Sequence, residues 1–393
     1  MKGAAIATAL VIAALPCYHF EHVDLGSKCN LASNGKLVAE RTGLGAAAIA
    51  SAQERGLQAA AKLLRAWGGG SHHHLGDECE TSRATAPRVL VAGDSIMDQF
   101  HQILLCTAHA LGCYAHRRPI TIVTKDDGDK LCKLAEIPPM GFANNSGTQG
   151  VLVPHTLECP TASLVFGGRL SNRSHARPLR IELTYLRFYE LGDDPPGHPR
   201  NPLMMAWPTM RRLLRANVRA QDYVYANLGH AFIHAQRTRT AVWFGLQVNN
   251  FVAANQNLSS APCTAHGPGP HAFLVGHPPQ HFNTSSGAFN QSDKGPFSKQ
   301  CRCGAPLLAE QPAARHDNAV AAAVTKSQLR HAPARKALVP VAYLSHFSAF
   351  EHASGRLQSC KLHRAPQDCT HYIVHPGVWS AAFVQAADAL APT

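Results

Sequence analysis

Negative charge is scarce in this sequence. Against 37 Lys and Arg stand 25 Asp and Glu, a formal net charge of +12, and charged residues of both signs make up only 16% of the 393 positions. With 45% hydrophobic residues beside so few charges, disorder is excluded and a substantial core is expected. The positive excess is not gathered into a patch. Basic residues are spread through the chain, with small pairs at Arg117-Arg118 and Arg211-Arg212. No nucleic-acid-binding motif accompanies them, so nucleic acid is excluded as a partner. A basic solvated surface, or a site for an acidic glycan, remains. Long apolar runs are lacking after the N-terminus, which excludes a second membrane span. Metal-ligand spacing is lacking as well. Cys301-Arg-Cys303 is not the CxxC of a zinc knuckle, and His72-His73-His74 stand in Gly-rich text that gives them no fixed geometry. No metal and no cofactor is expected.

What is present points to an oxidising compartment. The opening MKGAAIATALVIAALPCYHF has one lysine and an apolar stretch from Ala4 to Leu15, the layout of a secretory signal peptide over residues 1–17. It is short for a membrane span of about 20 residues. An uncleaved signal-anchor, giving a single N-terminal membrane anchor, is the alternative. Twelve cysteines are many for a cytosolic enzyme, and N-x-S/T sequons occur at Asn144, Asn172, Asn257, Asn283 and Asn290. Pairing cannot be read from spacing. If Cys17 leaves with a signal peptide, an odd cysteine remains, unpaired or intermolecular.

The most informative stretch is Arg88–Cys106, RVLVAGDSIMDQFHQILLC. Val89-Leu90-Val91 is a strand-type run. The chain turns at Gly93-Asp94-Ser95 and leaves as an amphipathic helix, expected over Asp98–Leu111, with Ile96, Phe100, Ile103, Leu104 and Leu105 at helical spacing. A serine there sits at the carboxyl end of a strand and the amino end of a helix. The unpaired amides and helix dipole favour developing negative charge, and open α/β sheets place their ligands at such a point. Simple capping of the helix by Asp94 or Ser95 is the structural alternative. Near the C-terminus comes Gln367-Asp368-Cys369-Thr370-His371-Tyr372, then His375-Pro376-Gly377 and a helix expected over Val378–Leu390. Asp368 and His371 are three apart and share a face of a turn. The carboxylate can hold one imidazole nitrogen while the other takes a serine proton.

A strand–GDS–helix block with a DxxH before the last helix is the pattern of the SGNH/GDSL esterase class. Gly93-Asp94-Ser95 with Gln99 and Leu104-Leu105-Cys106, then Tyr343-Leu344-Ser345, then Asp368-Cys369-Thr370-His371 closing on Pro376-Gly377, resemble the plant-type PC-esterase (trichome-birefringence-like) family, in blocks over 88–390. That resemblance implies a polysaccharide O-acetyltransferase of the Golgi lumen, with an acetyl donor and a glycan acceptor as partners. It makes Ser95 the nucleophile, His371 the base and Asp368 its orienting acid. Oxyanion donors would be the Ser95 amide, the Asn227 side chain in Asn227-Leu228-Gly229-His230, and Gly192. An Asn-x-Gly or a glycine at a strand end is otherwise a turn. Substrate contacts are expected at Asp94, Gln99, His230 and His281, the last in Pro278-Pro279-Gln280-His281-Phe282. Two alternatives stand beside this reading: a carbohydrate acetylesterase, which the wider serine-esterase class favours, and an inactive lumenal glycan-binding relative, which departures from the family favour. Ile373 stands where the family has cysteine, an arginine is missing at Val275-Gly276, Asp98 brings negative charge within a turn of Ser95, and tryptophan-rich text after the N-terminal cysteine is nearly absent.

Other elements follow from local pattern. A helix is expected over Ala46–Trp67, ending at Gly68-Gly69-Gly70, and strands over Ile120–Thr124, Arg180–Glu190, Tyr223–Ala226, Ala272–Val275 and Val339–Leu344. Helices are expected over Met204–Ala216 and His316–Gln328, and a loop insertion over Asp126–Gly150. Alternation of strands and helices predicts an α/β fold: a three-layer αβα sandwich with a mostly parallel central sheet, SGNH-hydrolase-like, with long loop insertions. The domain division expected is 18–87, a cysteine-containing Ala/Gly/His-rich segment, then 88–393, the PC-esterase-like domain.

Overall fold

The computed structural model describes residues 21–22, 29–69, 86–117, 120–123, 130–133, 152–164, 178–187, 190–192, 204–206, 223–227, 271–276, 278, 341–344, 359–365, 368 and 371–390. The elements in chain order are β1 (Glu21–His22), α1 (Leu31–Thr42), α2 (Ala46–Gly69), β2 (Arg88–Gly93), α3 (Ser95–Ala110), β3 (Tyr114–Arg117), β4 (Ile120–Val123), β5 (Lys130–Lys133) and β6 (Leu152–Cys159). There follow β7 (Leu179–Arg187), β8 (Glu190–Gly192), β9 (Met204–Ala206), β10 (Tyr223–Ala226), β11 (His271–Val275), β12 (Val341–Leu344) and α4 (Pro376–Asp388).

Among the described residues the central sheet has eight strands in the order β1-β3-β6-β7-β2-β10-β11-β12. From β7 to β12 all neighbours are parallel. At the other side β1, β3 and β6 add an antiparallel edge. The parallel register pairs Ala92 with Ala226, Ala226 with Leu274, and Val275 with Leu344. It therefore delivers the carboxyl ends of β2, β10, β11 and β12 to one edge. This is the mixed α/β fold expected from the sequence.

Alternation along the strands builds the core. Val89, Val91, Tyr223, Tyr225, Phe273 and Val275 share one hydrophobic cluster with Leu63, Leu64 and Trp67 of α2, Phe100 of α3, and Trp379 and Phe383 of α4. Trp67 meets the Tyr225 ring edge-on at 5.9 Å and donates its indole N–H to the Tyr225 hydroxyl at 3.0 Å. A buried indole finds its polar partner in this way without leaving the core. Phe100 touches Tyr225, Trp379 and Phe383, with ring centroids 6.0–6.2 Å apart. The intervening positions Leu90, Ala92, Val224, Ala226, Ala272 and Leu274 are buried too, so both faces of the sheet are covered, as parallel strands require.

The N-terminal segment shares this core. Cys29 is bonded to Cys106 near the end of α3, and Cys113 to Cys159 between β3 and β6. The Asn34 amide donates to the Val374 carbonyl at 2.8 Å. Helices α2 and α4 cross so closely that a Cβ on Gly56 would lie 2.2 Å from the Pro376 carbonyl. Disulfides of this kind belong to an oxidising compartment. Among the described residues, no helix is long and apolar enough to cross a membrane.

Several expectations need correction. The expected strand at Ile120–Thr124 is present as Ile120–Val123, but its partner β5 lies inside the stretch expected to be a loop insertion. Met204–Ala206 is a strand paired with β8, not the start of a helix. The expected strand over Arg180–Glu190 ends at Arg187. The signal segment, His72–His74, the five sequons and the helix over His316–Gln328 lie outside the described residues.

Candidate active site

Strand β2 ends at Gly93 with φ 147°, a conformation open to glycine and rarely to other residues. A Cβ there would also lie 2.6 Å from Met97 Cγ and 3.0 Å from the Asn227 carbonyl oxygen. Asp94 follows in an extended conformation and caps α3, its Oδ1 accepting from the Ile96 N–H at 2.9 Å. Ser95 is thereby the first residue of the helix, half-buried at its amino end. Tyr185 of β7 steadies the turn from the side, donating its hydroxyl to the Asp94 carbonyl at 2.9 Å, with the Gly93 carbonyl 3.3 Å away.

Asn227 follows β10 one position beyond the Ala226–Ala92 pair, level with Gly93. Its N–H donates to the Ala92 carbonyl at 3.0 Å and its side-chain amide to the Val275 carbonyl at 2.9 Å. One of its two amide hydrogens is thus committed to β11, which fixes the side chain at the carboxyl edge of the sheet.

The C-terminal block is folded around His371. Its Nδ1 lies 3.0 and 3.1 Å from the two Asp368 carboxylate oxygens, and its main-chain N–H donates to Asp368 Oδ1 at 2.9 Å. An acceptor-only carboxylate at Nδ1 keeps the proton on that nitrogen. Neutral His371 therefore carries its lone pair on Nε2, the nitrogen that can act as a base. The side chains are 20% and 11% exposed, so the pair is sheltered yet reachable. The His371 carbonyl accepts from the Arg364 N–H at 2.8 Å and from His363 Nδ1 at 3.1 Å. Burial pushes His363 down to about 4, outweighing its bond to the His371 carbonyl and the nearby Asp368 charge. It is a neutral donor at pH 7, its ring lying against Tyr372 at 4.6 Å.

Gln99 ties these two halves together close to both candidate residues. Gln99 stands one helical turn after Ser95, on the same face of α3. It donates from Nε2 to the Tyr372 carbonyl at 2.8 Å and accepts the Tyr372 N–H on Oε1 at 3.1 Å. Contact between helix and loop is thus made one turn from Ser95 and one residue from His371.

Other candidates fare differently. Gln99, expected at the substrate, is buried and spends both ends of its amide on main chain. Asp94, also expected at the substrate, is 2% exposed and serves as the helix cap. Gly192 ends β8 in the two-stranded β8–β9 ribbon, outside the central sheet that carries Ser95 and Asn227. His230 and His281 lie outside the described residues. Sequence inspection missed Tyr185 and His363. Tyr185 is an ordinary strand tyrosine in RIELTYLRFYE, and His363 sits in CKLHR with no motif around it.

No family model matches the chain, and no curated protein matches it. Among solved structures, it is similar to the native aryl esterase of M. smegmatis at 14% identity and a TM-score of 0.37, over 76% of this chain and 97% of that one. A similarity this low bears on neither family nor activity.

Proposed function

We propose that the chain is an acyl-transferring enzyme of the serine type, with Ser95 as nucleophile, His371 as base and Asp368 as the group that orients the base. The observation that carries this is the Asp368–His371 pair, with its tautomer fixed by two contacts at 3.0 and 3.1 Å, bound through Tyr372 to the helix that begins at Ser95. A serine hydroxyl keeps its proton at neutral pH and is a poor nucleophile unaided. His371 Nε2 takes that proton as Oγ adds to the acyl carbonyl. The Asp368 carboxylate stabilises the imidazolium that forms. The oxyanion is received at the amino end of α3 by the Ser95 amide and the helix dipole, with the Asn227 side chain on the same sheet edge. Collapse expels the alcohol of the acyl donor, which leaves with the proton from His371. In the second half an acceptor hydroxyl gives its proton to His371 and takes the acyl group, restoring Ser95.

The acceptor decides the name of the reaction. We read it as a sugar hydroxyl of a polysaccharide and the acyl group as acetyl, so that the protein is a polysaccharide O-acetyltransferase of the secretory pathway, in the Golgi lumen. Supporting that reading are the family-like text around Ser95 and His371, the disulfides, and a charge of +12 suited to acidic glycans. The test incubates the full chain with an activated acetyl ester and polysaccharide oligomers, following both acetylated oligomer and free acetate. Acetylated oligomer supports the transferase. Free acetate alone makes the protein an esterase, and neither product, with folded protein, leaves a glycan-binding relative.

A further inference from the structure

We propose that Gln99 is a positioning residue for the reaction: its side-chain amide pairs with the Tyr372 peptide as a neighbouring strand would, and thereby sets the distance between Ser95 and the His371 base. This rests on the serine-nucleophile assignment above. The main chain of His371 is already fixed within its own block, by Asp368 at its N–H and by Arg364 and His363 at its carbonyl. Those contacts hold the imidazole to its carboxylate, but none of them reaches the helix that carries Ser95. Gln99 does, through two hydrogen bonds of 2.8 and 3.1 Å to the residue after the base.

The chemistry of the residue fits the task. A primary amide offers, at any pH, a donor and an acceptor side by side in one plane, matching the N–H and C=O of a peptide. Asn would carry the same group one methylene short. Gln99 and Tyr372 are 4% and 0% exposed, so no water replaces either bond if one is lost. Ser95 precedes Gln99 by one turn of α3, so movement of the clamp is transmitted rigidly to the nucleophile. A misplacement of about 1 Å between nucleophile and base costs about 10²-fold in rate.

The test measures the second-order rate at which a serine-directed fluorophosphonate labels the full chain. Labelling forms the Ser95 Oγ–phosphorus bond, expels fluoride and passes the serine proton to His371. Gln99→Met keeps the length and removes both hydrogen bonds. Its labelling should slow by about 10²-fold. In ester turnover kcat should fall while KM stays within about twofold, because a group that only aligns the reacting atoms leaves substrate binding alone. Trp67→Phe, which removes the buried bond to Tyr225 away from the site, is the control. It should lower the melting temperature and label at the wild-type rate. Gln99→Glu gives an independent readout. As a neutral carboxylic acid it donates and accepts like the amide; as a carboxylate it repels the Tyr372 carbonyl. Its labelling rate relative to wild type should rise as pH falls, and this variant decides the matter should Gln99→Met fail to fold. Wild-type labelling in folded Gln99→Met, equal slowing in Trp67→Phe, or a pH-independent Gln99→Glu ratio would overturn the proposal. A wild type that never labels, or labels undiminished as Ser95→Ala, would instead sink the nucleophile assignment beneath it.

Discussion

Replacing Asp368 by Asn separates the orientation of the base from its presence. The wild-type carboxylate takes two donors from one residue, the main-chain N–H of His371 at 2.9 Å and the ring Nδ1–H at 3.0 and 3.1 Å. Asn has nearly the same shape but only one acceptor oxygen. That oxygen stays with the main-chain N–H, because a peptide donor cannot give its proton away. The amide NH₂ then faces Nδ1 and makes it an acceptor. The ring proton moves to Nε2, so the lone pair faces the new amide and the nitrogen proposed to take the serine proton is already protonated. Loss of the correct tautomer costs about 10⁴ in kcat, or about 5 kcal/mol in the barrier. Stability falls much less, by about 1–3 kcal/mol for a weakened charge-assisted bond. Ester turnover and fluorophosphonate labelling, each beside a thermal melt, measure the two effects separately. A folded Asp368→Asn protein within tenfold of wild-type turnover would refute the reasoning, since the base would then need no orienting carboxylate.

Two further outcomes test the fold around the site. Burial pushes His363 and His375 down to about 4 and lowers His101 as well, while the unfolded chain protonates its histidines near 6.5. Between pH 6.5 and 4 the unfolded state binds protons that the folded state refuses, so stability is full above pH 6.5 and falls as pH drops through that window. For His363 the loss is on the order of 3 kcal/mol by pH 4; denaturant midpoints that stay flat from pH 7.5 to 4.5 would contradict this. Gly56→Ala should lower the denaturation midpoint by about 1–3 kcal/mol in stability despite the better helix propensity of alanine, because the new Cβ meets Pro376 main chain at 2.2 Å and forces α2 off α4; an unchanged or raised midpoint would show that the two helices can part without cost.

How much was legible follows from how local the signals are. The strand–turn–helix at Ser95, the long helix α2 and strands β10 and β11 are written in their own periodicity, and their bounds differ by only a few residues from expectation. Helix α1 was missed although Asn30 caps it through the Ser33 N–H, because Gly35 in its middle reads as a breaker. That glycine lies where α1 packs against His375, a contact with the far end of the chain. Strand β6 was missed because Pro154 interrupts it. The proline is tolerated because it falls just past His155, the last residue that β3 pairs. With β6 unrecognised, the antiparallel edge that it joins to β7 went unforeseen. Asp368 and His371 could be paired from their spacing alone. The work of Gln99 could not be, because its partner is 273 residues away and is main chain, which leaves no mark on side-chain pattern.

The most direct measurement is the site and count of fluorophosphonate adducts on the intact, folded chain. The account predicts a single adduct per molecule, mapped by peptide mass to Ser95 and absent in both Ser95→Ala and His371→Ala. A folded protein that takes no adduct, or one whose adduct survives Ser95→Ala, would contradict it.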